Sequence, residues 1–191
     1  IVAANAFVGP RIFSPQVVQF QTAGLQVLVI PPKMQITFGI HDTDIDYKLP
    51  QQIARRTVEL LPHTPYQALG LNFDFFVSQP KGQDFARYNR ALLGDGGGHL
   101  LQEFSTPDAK FGRYFSKDHD EARLKLDIKP LQAGPEKKDL LQFAFNFHYE
   151  FPQLGPEARA SKFIQLLERW TLLHQYAEDI LSIGSAYEVS G

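Results

Sequence analysis

Residues 122–131, ARLKLDIKPL, set Leu124, Leu126 and Ile128 in strict alternation with Arg123, Lys125, Asp127 and Lys129. Neighbouring side chains of a strand point to opposite faces, so this stretch requires a sheet with one face buried and the other wet. Other segments share the strand character. VVQF, LQVLVI and MQITFGI within 17–40 are rich in Val, Ile and Phe and are broken by Thr22-Ala23-Gly24 and Pro31-Pro32-Lys33. They read as antiparallel strands. YQALGLNFDFFV (66–77), KFGRYFS (110–116) and LLQFAFNFHYEF (140–151) complete the set.

Helical spacing appears in three places. PQQIARRTVELLP (50–62) gathers Ile53, Thr57, Leu60 and Leu61 on one stripe, and QDFARYNRALL (83–93) gathers Phe85, Tyr88, Leu92 and Leu93. From Gly155-Pro156-Glu157 to about Gly184 the stripe Phe163, Leu166, Leu167, Trp170, Leu173, Ala177, Ile180 and Leu181 predicts one unbroken closing helix. The expected fold is α+β, a largely antiparallel sheet of about six to seven strands with helices packed on one face. GLNFDFF (70–76) and AFNFHYEF (144–151) share an Asn-Phe-x-aromatic core, which suggests two pseudo-repeated halves, 1–93 and 100–191. The glycine-rich GDGGGH (94–99) would join them within a single domain spanning 1–191.

Composition narrows the chemistry. The 191 residues contain no cysteine, which removes thiolate metal sites, cysteine nucleophiles and redox pairs. Nineteen basic against 21 acidic residues give a formal charge of -2, unlike a domain built to neutralise phosphate. No stretch approaches the ~20 apolar residues of a membrane helix. The N-terminal IVAANAFVGP has no basic start, its first positive side chain being Arg11, and reads as part of the fold rather than a secretory leader. A cytoplasmic protein is the expectation.

The clusters that could carry chemistry each have a plainer reading. HDTDIDY (41–47) alternates Asp42, Asp44 and Asp46 beside His41, yet Tyr47 and Ile53 stand where a calcium loop needs glycine and glutamate. KDHDEAR (117–123) offers Asp118, His119, Asp120 and Glu121 but sits between two strands, as a hairpin turn would. GDGGGH lacks the lysine and hydroxyl residue of a phosphate cradle, and no GxSxG elbow occurs. Asp74 and His148 hold equivalent places in the two related strands and would approach each other only if those strands pair across a pseudo-twofold axis. His174 borders the core stripe and reads as structural.

Two surfaces remain. Arg123, Lys125 and Lys129, with Lys110, Arg113 and Lys117 among Phe111, Tyr114 and Phe115, form a basic, aromatic-interleaved candidate for single-stranded nucleic acid. Only a net +2 over 110–129, six basic against four acidic residues, supports it. On the closing helix, Ile164, Leu172 and Tyr176 make a second apolar line off the main stripe, a pointer to self-association.

The layout of a strand pair before a helix after proline, a central GLNFDF strand, the later LLQFAFNFHYEF strand and a long closing helix, ASKFIQLLERWTLLHQYAEDIL, resembles a sporadically distributed prokaryotic family of uncharacterised α+β proteins. That resemblance implies the architecture and brings no activity or site residues. The leading expectation is a non-enzymatic protein-interaction or structural module, homo-oligomeric, using Ile164, Leu172 and Tyr176 or a sheet edge, with Arg123, Lys125 and Lys129 as further surface. The alternative is a small-molecule- or metal-dependent enzyme drawing on His41, Asp44, His119 or His148. Nucleic-acid binding ranks third. No cofactor or metal site is expected, and no catalytic residue stands out.

Overall fold

Turn-forming residues cut the first part of the chain into short antiparallel strands. The computed structural model describes residues 8–9, 11–22, 24–39, 48–95, 100–151 and 154–185. In it β1 (Ile12–Phe13), β2 (Val18–Gln21), β3 (Leu25–Ile30) and β4 (Lys33–Phe38) form one four-stranded sheet in chain order. Pro31 and Pro32 occupy the turn across which Ile30 pairs with Lys33. Neither proline has an N–H to offer a ladder, so the turn is where they are tolerated. Leu25 and Val27 supply the buried side of β3. Helix α1 (Lys48–Leu60) packs against β4 and against α4 (Pro156–Leu167), burying Val58, Leu166 and Leu167. Residues 1–64 and 156–168 thus make one compact unit.

Residues 65–155 and 169–191 make the second unit. Its sheet runs β5-β8-β7-β6, where β5 is Ala68–Val77, β6 Arg113–His119, β7 Ala122–Ala133 and β8 Lys138–Glu150, all neighbours antiparallel. The alternation read from the sequence is realised here. Leu124, Leu126 and Ile128 are buried while Arg123, Lys125 and Lys129 are exposed. On β8 the same face carries Leu141, Phe143, Phe145, Phe147 and Tyr149, all buried. Each such side chain contributes about 1.5–3 kcal/mol on burial. Helices α2 (Phe85–Leu93) and α5 (Trp170–Ser185) cover that face, with Trp170 4.6 Å from the Phe73 ring and Leu173 and Ala177 fully buried. The Asp84 carboxylate caps α2 by accepting the Arg87 N–H at 3.0 Å. A single turn, α3 (Leu100–Glu103), precedes β6.

The α+β class agrees with the sequence, but there are two antiparallel sheets of four strands instead of one of six or seven. Among the described residues the strands before α1 pair only with one another, so similar apolar patterns serve two separate sheets. The two Asn-Phe-x-aromatic segments are β5 and β8, which pair directly with Asn72 opposite Asn146. Their likeness thus lies in two adjacent strands of one sheet. The closing helix breaks at Glu168-Arg169 into α4 and α5. At the break the Glu168 carboxylate meets Arg55 of α1 at 3.4 Å, whereas the next side chain, Arg169, pairs with Asp120 after β6. Each helix follows its own packing partner, and the shared 3,4 spacing hides the change. Among the described residues no helix is long and apolar enough to cross a membrane.

Candidate functional site: an apolar cleft beside strand β6

The chain reaches β6 under tight control. Phe111 is fixed to α2 by the Asn89 side-chain amide, and Gly112 then passes so close to β7 that a Cβ there would lie 2.7 Å from the Ile128 carbonyl oxygen. Only glycine allows that approach. Arg113 follows, and its guanidinium donates through Nε to the Leu93 carbonyl at 3.1 Å and also to the Asp95 carbonyl. The last carbonyls of a helix lack intrahelical partners and favour a cation, so Arg113 anchors the C-terminal end of α2. Four residues on, Lys117 donates to the Tyr176 hydroxyl of α5 at 2.7 Å, and the His119 ring stacks on Tyr176 at 4.2 Å, nearly parallel at 2°. One strand thus ties down a helix at either end.

Between these ties the cover is incomplete. A cleft of about 510 Å³ opens over the helix-covered face of the sheet. Leu124, Leu126 and Ile128 of β7 and Phe143 of β8 form its floor, and Leu92 and Leu93 of α2 and Ile180 of α5 its walls. Arg113, Phe115, Ser116 and Lys117 of β6 complete the lining. Phe115 is 47% exposed although its Cα partner Leu126 is buried, because α2 and α5 cover β7 and β8 and leave β6 open. The volume lies in the range of small-molecule sites, and an apolar body with a few polar groups is their usual chemistry. Those polar groups are two cations and a hydroxyl. Arg113 and Lys117 stand four strand residues apart, about 13 Å at about 3.3 Å each. Among the described residues the lining holds neither carboxylate nor imidazole.

The sequence candidates fall elsewhere. His41, Asp42, Asp44 and Asp46 lie outside the described residues, as do Gly96–His99 of the glycine-rich run. Asp120 and Glu121 form the two-residue turn of the β6–β7 hairpin, with Asp120 at φ 51°. Arg169 beside it holds the Asp120 carboxyl below its ordinary pKa through hydrogen bonding. His119 faces the helices and His148, opposite Arg123, faces away from them, so the sheet itself separates these two. Asp74 pairs in register with Ala144 and His148 with Gly70, on either side of the Asn72–Asn146 pair. They do not meet. Asp74 instead accepts from Gln142 at 3.0 Å, and His148 lies 3.6 Å from Glu150. His174 packs edge-on against Phe73 at 5.2 Å, in keeping with a structural role. Among the described residues no group of His, Asp and Glu is placed to hold a metal.

The basic surface divides between faces. Arg123, Lys125 and Lys129 lie on the open face with Tyr114, whereas Arg113, Phe115 and Lys117 line the cleft on the other. Asp118 meets Arg123 at 2.9 Å, Asp127 meets Lys129 at 3.4 Å, and Lys110 is drawn to Asp139 at 2.6 Å. Five of the six basic residues are therefore paired with a carboxylate or turned to the other face. Of the apolar line, Ile164 is half-buried on α4, in the other unit from Leu172 and Tyr176 of α5. Leu172 is 64% exposed. The cleft itself escaped sequence reading, because Leu92, Leu124 and Ile128 carry the pattern of ordinary core residues. No protein-family model matches the chain, and no curated protein or solved structure is significantly similar to it.

Proposed function

We propose that the chain is a binding module whose second unit holds an elongated apolar molecule bearing an anionic group, such as a fatty carboxylate. The cleft carries this reading: about 510 Å³ floored by aliphatic and aromatic side chains, with cations at both ends of the β6 side and, among the described residues, no acid or histidine in the lining. Apolar area supplies the affinity, and the cations select the sign of the head group. Apolar contact along the floor and charge at the rim suit such a cleft to holding a molecule.

Isothermal titration with dodecanoate tests it. One saturable site is expected, with a negative heat-capacity change from apolar burial. Leu92→Trp, which fills the α2 wall from a half-buried position, should weaken binding at least tenfold while the circular dichroism spectrum stays unchanged. Equal binding by this variant, or no saturable binding by the parent chain, overturns the proposal.

A further inference from the structure

We propose that two copies of the chain pair along the outer edge of β6, antiparallel and centred on Ser116, so that their four-stranded sheets become one. The inference stands on the strand edge and does not depend on what the cleft holds. Among the described residues β6 has β7 on one side only, and residues 114–118 are all exposed, Tyr114 at 61%. An end strand of this kind leaves half of its backbone donors and acceptors to solvent or to another strand. The opposite end strand, β5, is less receptive. Its Leu69, Leu71 and Phe73 are already buried, Phe73 against Trp170 of α5, and a new strand would have to fit its side chains against that helix. Beside β6 the helix face is open over Phe115, while Lys117 leans on Tyr176 of α5.

Charge selects the register. A twofold axis through the sheet places side chains of the same face opposite one another, and like charges directly opposed destabilise a pair. Centring on Phe115 sets Arg113 against Lys117 twice. Centring on Lys117 or Asp118 opposes that residue to its own copy. Centring on Tyr114 leaves only three residues of β6 overlapping. Ser116 alone gives a full overlap without such a conflict: Lys117 faces Phe115 of the second copy, Tyr114 faces Asp118, and Arg113 faces His119 at the ends. A lysine over an aromatic ring and a phenol beside a carboxylate are both attractive. In this arrangement Phe115 of the second copy stands beside Lys117 on the cleft side, so each copy supplies the wall that the other lacks.

The chain has no cysteine, so Ser116→Cys introduces a single thiol on the axis. Opposed Cα atoms of antiparallel strands, about 4.5–5.5 Å apart, suit a disulfide. Oxidised with diamide at micromolar concentration, this variant should become mostly a covalent dimer, at least tenfold faster than Asn72→Cys on the other edge. Native mass spectrometry of the unsubstituted chain should show twice the monomer mass. Phe115→Lys, which opposes two lysines, should raise the dissociation constant at least tenfold, and adding Lys117→Glu to it should restore pairing. Slow linking at position 116, faster linking at position 72, or a parent chain that stays monomeric at about 100 µM, far above the dissociation constant of a specific dimer, overturns the proposal.

Discussion

Asn89 grips both backbone polar groups of Phe111: its Nδ2 donates to the Phe111 carbonyl at 2.8 Å and its Oδ1 accepts the Phe111 N–H at 2.6 Å. The amide thus acts as one rung of a β-ladder built from a side chain. Asn89 is 0% exposed, so both bonds are made away from water. Truncation leaves two half-buried backbone groups without these partners, at about 1–2 kcal/mol each. Asn89→Ala should therefore lower the unfolding free energy by about 2–4 kcal/mol, read from urea denaturation. Dodecanoate binding should weaken as well, because Phe111 and Gly112 deliver Arg113 to the cleft.

Tyr149 is the opposite case. Its hydroxyl is buried with no hydrogen-bond partner, and burial pushes its pKa up. An unpaired buried hydroxyl costs stability, while the ring pays its way through apolar contact. Tyr149→Phe should leave the urea midpoint unchanged or raise stability by up to about 1 kcal/mol. A loss above about 1 kcal/mol would show that the hydroxyl is engaged.

Acid should act through the pair beneath the β7–β8 hairpin. Lys110 Nζ lies 2.6 Å from the Asp139 carboxylate and holds its pKa below the ordinary 3.8, with help from Gln132. A carboxyl depressed in the folded state adds stability in full above its unfolded pKa, about 3.9, and loses it as pH falls through the lower folded value. Asp139→Asn should cost about 0.5–1 kcal/mol at pH 7. Its thermal midpoint should converge on that of the parent chain below pH 4, about the pKa of an unpaired aspartate.

Gly112→Ala brings a methyl group to 2.7 Å from the Ile128 carbonyl oxygen. The strain falls on the entry to β6, so the expected loss is about 1–3 kcal/mol, of the order of an overpacked core site. Thermal unfolding measures it.

The charge at the cleft rim can be separated from its apolar floor. Lys117→Gln should weaken dodecanoate about three- to tenfold, up to about 1.4 kcal/mol. Dodecanol, with the same chain and no charge, should bind within about twofold of its affinity for the parent. Equal losses for both ligands would assign Lys117 to packing against Tyr176 alone.

Local periodicity carried most of the element pattern. Leu124, Leu126 and Ile128 alternate because one sheet face is dry, and β7 follows from that directly. Pairing was less accessible, since nothing local distinguishes LQVLVI, which joins one sheet, from GLNFDFF, which joins another. The break at Glu168-Arg169 was hidden for a related reason: Leu166 and Leu173 both look inward, but toward different cores. The candidate site left the weakest trace. Phe115 and Leu126 are paired strand residues of similar character, and only the placement of α2 and α5 makes one exposed and the other part of a cleft floor.

Asn72 meets a partner 74 residues downstream, and α1 packs against a helix that begins at Pro156. During synthesis neither core can close until most of the chain has left the ribosome. β5, with its NFDFF run, emerges early and must wait for β8 to emerge. Non-local pairing of this kind folds in milliseconds to seconds rather than microseconds, and exposed aromatic strands are open to aggregation meanwhile. The nascent polypeptide is therefore the state most in need of a chaperone.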